Sequence, residues 1–97
     1  MGLCKALIEW DDVARAKDGP RVLDDAFLAD HTHGFEAFAD TARAAAWGDI
    51  ERESGLSRAA LEDAASTYAG ARGAIAVYGM GLTQHKRGVD NVQMLVN

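Results

Sequence analysis

A chain of 97 residues has room for one small domain, and a domain of this size buries only about 60 to 65% of the surface its unfolded form exposes. A formal net charge of −5 argues against a general binder of nucleic acid or of an anionic membrane, because such partners reward clustered Lys and Arg. The single cysteine, Cys4, excludes an intramolecular disulfide and fits a reducing, cytoplasmic compartment. No apolar run approaches the about 18 residues of a membrane-crossing helix, and no signal-like segment follows Met1.

In chain order, Leu3, Leu7, Trp10 and Ala14 recur at helical spacing. Glu9, Asp11, Asp12, Arg15 and Lys17 take the other face, so residues 2–17 read as an amphipathic helix. Asp18, Gly19 and Pro20 end it, since glycine terminates helices readily and proline cannot continue one. The connection that follows is expected to be flexible. Asp24 is placed to cap a short helix over 24–30 that buries Phe27 and Leu28. His31 and His33 stand two positions apart, a spacing that puts them on one side of a strand and on diverging sides of a helix. A metal site would need a further ligand, so the plain reading is a loop. Phe35, Phe38, Ala39 and Ala42 form one stripe of a helix over 34–46, opposed by Glu36, Asp40 and Arg43. Residues 47–53 add a short helix stopped by Gly55. Ser57 then caps a helix over 57–71 that turns Leu61, Ala64, Ala65 and Tyr68 inward.

Ala74 to Tyr78 is a short apolar, partly β-branched run, which reads as one buried strand over 74–79. Gly79 and Gly81 flank Met80 and open the backbone to close approach and to positive φ. Thr83, Gln84 and His85 follow with polar groups, and a helix over 88–97 begins near Gly88. A strand, a glycine turn and a helix amino end is a common way to build a ligand site in open α/β sheets. The dinucleotide fingerprint is not met, because Gln84 stands where its third glycine belongs. The phosphate-loop motif fails at Gln84 and His85.

Tyr78, Gly79, Met80, Gly81, Leu82, Thr83, Gln84 and His85, with Gly88, Val89, Asn91 and Val92, resemble the glycine, methionine, glycine, aliphatic, threonine, glutamine segment of molybdopterin oxidoreductases, and most of all formate dehydrogenase alpha subunits. The likeness continues upstream through Val22 to Asp24, Phe27, His31 to Glu36, Trp47, Ile50, Glu51 and Ser54 to Ser57. It implies an internal slice of a much longer catalytic subunit, and a fold that is part of a three-layer αβα cofactor-binding domain, mostly helical with one buried strand. It also implies contact of Gly79, Met80, Gly81, Thr83, Gln84 and His85 with a molybdenum-bearing molybdopterin guanine dinucleotide. An iron–sulfur cluster is implied for the longer protein but not for these residues, which lack the four thiolates it needs. The partners implied are the remainder of the same polypeptide and electron-transfer subunits. No residue of the slice is assigned as acid, base, nucleophile or metal ligand.

A lone strand leaves both of its edges unpaired, and the chain stops inside an apolar helical pattern at Leu95 and Val96. Both features read as a single partial domain over 1–97 whose sheet lies elsewhere, or as a strand that pairs with its own copy. The alternative is a small helix-turn-helix or protein-interaction module, with Gly55 at the turn between two helices. DNA reading is disfavoured by Glu62 and Asp63 near the start of the second helix, where phosphates would lie.

Overall fold

The computed structural model describes residues 1–96, and only the last residue of the helix expected over 88–97 lies outside them. The elements are all helical: α1 Gly2–Ala16, α2 Asp25–His31, α3 Phe35–Ala44, α4 Trp47–Ser54, α5 Arg58–Gly70, α6 Met80–Thr83 and α7 Gly88–Val96. Helix α1 is the axis. It packs against α3 on one side and α5 on the other, while α6 packs chiefly on α7. Small residues make the close approaches possible: Ala39 and Ala42 of α3 and Ala65 of α5 are fully buried, with Ile8, Ala6 and Leu61 beside them.

The caps follow the local chemistry. The Asp24 carboxylate accepts from the Phe27 N–H at 3.0 Å and starts α2; Ser57 accepts from the Ala60 N–H at 3.3 Å and starts α5. Gly55 ends α4 in the left-handed region at φ 71°, where a side chain would be strained.

Two expectations about orientation are corrected. The sequence pattern turns Asp11 toward solvent, yet it is buried, as is Lys5, whereas Leu3 and Leu7 of the expected inward face are only half-buried. The reason is that α1 has neighbours on several sides and spends polar groups on their chain ends. Lys5 Nζ donates to the carbonyls of Ala42 and Arg43 at 3.2 and 2.8 Å, closing the last turn of α3. The connection expected to be flexible is clamped for the same reason. Asp11 accepts from the Val22 and Leu23 N–H groups at 2.9 and 3.1 Å, and from Arg21.

The α/β expectation is corrected outright: among the described residues there is no strand, so neither a buried strand over 74–79 nor an αβα layer is present. A strand exists only through a ladder, and the described chain supplies no second strand for one. Ala71 and Gly79 are both extended, and residues 71–79 run between them as an uncoiled segment in which Ile75 and Val77 are each 92% exposed. None of the N–H groups of residues 72–79 donates to a backbone carbonyl among the described residues.

The molecule is looser than its mass suggests. Its radius of gyration is 14.1 Å, against about 12.5 Å for a compact chain of this length. Its accessible surface is 7192 Å², roughly a third above the about 5,400 Å² typical of a 10 kDa monomer.

Gly88 fixes the α6–α7 pair. A Cβ there would stand 2.2 Å from the Thr83 carbonyl oxygen, so Gly88→Ala is expected to separate α7 from α6. Amide hydrogen exchange over residues 88–96 should accelerate, while the melting temperature of the α1, α3 and α5 bundle stays within about 2 °C, because no bundle contact is altered.

Candidate functional site

The six residues that the sequence marks as a cofactor turn are contiguous in space but convex. Met80 and Thr83 bound the single turn α6, Gly79 is its N-terminal flank in extended geometry at φ −140°, and Gln84 follows it. The Gln84 side-chain amide reaches Met80 Sδ at 3.5 Å, and the His85 carbonyl accepts from the Gly88 N–H at 2.9 Å. Positive φ, which Gly79 and Gly81 would permit, occurs among the described glycines only at Gly34 and Gly55. A Cβ added at Gly79 or Gly81 would meet nothing within 4 Å, and Met80 is 69% exposed. Neither of the two apolar clefts described below is walled by these six residues. A bulky dinucleotide needs a concave wall that buries most of its surface. The turn as described does not form one, and no chemistry is routed through such a group.

His31 closes α2, His33 lies in the connection to α3, and both border the cleft between α1, α2 and α3. Both are exposed, and His31 stacks at 5.0 Å, tilted, against Phe27. Among the described residues no three of His, Cys, Asp and Glu converge to hold a metal ion.

The charged clusters are closed networks. Asp11 Oδ2 lies 2.6 Å from Arg21 Nη2 and 3.1 Å from Arg15 Nε, and both guanidinium groups also reach Asp25. Hydrogen bonds from Arg21, then from the Leu23 and Val22 amides and Arg15, outweigh burial and hold the Asp11 carboxyl far below the usual carboxylate range. Arg43 clamps Asp12 with two bonds of 2.8 and 2.9 Å. Around Trp47, the indole N–H donates to Glu9 at 3.1 Å, Arg58 lies over the ring at 4.7 Å, and Lys5 pairs with Glu9 at 2.8 Å. Burial pushes the Glu9 carboxyl up, but its bonds from Lys5 and Trp47 prevail and leave it lowered. No buried side-chain nitrogen or oxygen is without a partner among the described residues. The sequence does carry a signal for these networks, in the i, i+4 pairs Lys5–Glu9 and Asp11–Arg15.

The open features are apolar. One cleft, of about 450 Å³, lies between α1, α2 and α3 and is walled by Leu7, Phe27, His31, Phe35 and Phe38, with Val96 at its edge. A second, of about 710 Å³, lies between α1 and α7 and is walled by Leu3, Leu7, Tyr68, Ala74, Ile75 and Leu95. Cys4 and Leu7 border both. In the helix pair α4 and α5, Arg58 is bound to Glu62 at 2.8 Å and lies over Trp47.

No family model matches this sequence, and no solved structure does. The chain is similar to Protein YdeP of Escherichia coli strain K12, 47% identical over 96 residues that make up 99% of this chain and 13% of that protein. YdeP of Shigella flexneri matches equally. Formate dehydrogenase H of Escherichia coli strain K12 is 35% identical over 74 residues, 76% of this chain and 10% of that protein. The chain thus spans 13% of the length of the YdeP proteins it matches.

The resemblance read as an internal slice of a formate dehydrogenase alpha subunit is corrected by these comparisons. The likeness that runs through the chain is to YdeP, and the likeness to formate dehydrogenase H is weaker and partial. The reading as part of that enzyme's catalytic subunit falls with it, since the described chain has no α/β layer. No helix of the described residues is long and apolar enough to cross a membrane.

Proposed function

We propose that this chain is a helical protein-interaction module that joins a larger polypeptide by adding its uncoiled segment, residues 71–79, to an open sheet edge of that partner. One observation carries the reading: an apolar stretch with Ile75 and Val77 at 92% exposure, in which the N–H groups of residues 72–79 have no backbone partner among the described residues. Strand addition satisfies both deficits at once, the ladder taking the N–H groups and alternate side chains entering the partner's pockets. The surface supports it. The excess of about 1,800 Å² over a compact monomer is more than the about 800 Å² that one partner contributes to a standard interface. The relatives support it too, because in YdeP the matched stretch makes up 13% of a much longer chain. On this reading any oxidoreductase chemistry belongs to the larger polypeptide, and no residue described here is assigned a catalytic role.

The test co-expresses this chain with Escherichia coli YdeP lacking the matched stretch, each tagged separately, and measures their association. Wild type should bind, and Val77→Pro should bind at least about tenfold more weakly, since proline removes a ladder donor while Val77 makes no buried contact to lose. Equal binding by the two forms, or none by wild type, refutes the reading.

A further inference from the structure

The apolar face that the sequence gives to α1 is only half-covered by the fold. Leu3 and Leu7 are half-buried, and Cys4 and Leu7 border two unfilled clefts, with the end of α7 as the wall opposite: Val96 at one and Leu95 at the other. Leu95 and Val96 are exposed although apolar space lies beside them. The arm that carries them, α6 and α7, packs mainly on itself. It is tethered by residues 71–79, and from 72 to 79 their N–H groups make no backbone bonds among the described residues. An apolar helix beside an empty apolar groove, on a tether with nothing to break, gains by settling into it.

We propose that the α6–α7 arm is a strap that closes on the Leu3, Cys4 and Leu7 face of α1, drawing Ala74 to Ala76 into the cleft they already border and so withholding the docking segment. The open form presents residues 71–79, and the closed form hides them. The device takes its purpose from the docking reading above, but its mechanics do not depend on it. A partner that binds only the open form pulls the arm away, and closure lowers the partner's apparent affinity by the fraction of chains that are closed.

The native thiol is the reporter. Cys4 is half-buried between the two clefts, so closure shields it and opening exposes it. In the isolated chain, iodoacetamide should alkylate Cys4 roughly tenfold faster in Leu95→Asp than in wild type, because a carboxylate resists entry into the cleft. Val96→Cys, at a position 82% exposed and outside the α1, α3 and α5 bundle, should form an intramolecular disulfide with Cys4 under mild oxidation. An unchanged alkylation rate in Leu95→Asp with helical content preserved, or the absence of the intramolecular disulfide in Val96→Cys, overturns the strap. Neither measurement contains a partner, so their failure leaves the docking reading standing. Equal partner binding by Val77→Pro would remove the docking reading and leave the strap.

Discussion

Asp11→Ala is expected to lower the unfolding free energy by about 3 kcal/mol and the melting temperature by on the order of 15 °C for a chain of this length. Asp11 is 2% exposed and serves several donors at once: Arg21 and Arg15 through their guanidinium groups, and the Val22 and Leu23 amides. Alanine leaves those two amides without acceptors at the point where the chain leaves α1 for α2. The figure is set at the low end for a broken buried pair, because Arg15 is half-exposed and Arg21 is 29% exposed and both can turn back to water. Asp11→Asn separates the parts. Its amide oxygen can still accept from Val22 and Leu23 while the charge is gone, so it should cost roughly half as much. Thermal and urea unfolding followed by circular dichroism measure both. Equal losses for the two variants would show that the charge matters and the amide contacts do not.

The same carboxylate sets an acid limit. Its folded-state pKa lies below its unfolded value near 3.9, so its contribution is present in full above about pH 4. It is lost as the pH falls from there toward the folded value. Wild type should therefore destabilise below about pH 4 more steeply than Asp11→Asn.

What could be read from the sequence was local. Asp24 and Ser57 cap their helices by the side-chain acceptance that their residue types favour, and Gly55 takes the positive φ that ends α4. The Phe35, Phe38, Ala39 and Ala42 stripe does face α1, and its alanines make the contact. What the sequence misassigned depends on neighbours. Helical periodicity ranks residues by polarity, but Asp11 is buried because the connection before α2 passes it, just as Lys5 is buried because α3 ends beside it. That information lies some 11 to 38 positions away along the chain. The 74–78 run was misread for a related reason. Its composition states that it can form a strand, whereas a strand needs a ladder that the described chain does not supply. At the glycines on either side of Met80 the backbone stays outside the positive-φ region and no atom crowds the Cβ positions.

Lys5→Met is expected to cost about 2 kcal/mol, and the loss should appear at the end of α3 and not along α1. The ammonium, 4% exposed at its side chain, caps the Ala42 and Arg43 carbonyls, pairs with Glu9 at 2.8 Å and lies 5.7 Å from the Trp47 ring. Methionine keeps the length and most of the apolar contact of the lysine stem, so packing is spared and the polar account is isolated. Two effects then compete. The carbonyls lose a charged donor in a setting that water reaches poorly, which is unfavourable. Against that, burying an ammonium has a desolvation cost that disappears. The carbonyl term should prevail because Ala42 is fully buried, whereas Glu9 is 35% exposed at its side chain and keeps the Trp47 N–H. Amide exchange should quicken at Ala45, whose N–H closes the last turn of α3 on Thr41, and at Arg43 and Ala44 beside it. Because the pair is shielded, raising salt from 0.1 to 1 M should leave the Lys5→Met loss nearly unchanged, while an exposed pair such as Arg52–Asp49 should weaken under the same screening. A loss that shrinks with salt would place Lys5 in a solvated environment and remove its role as the cap of α3.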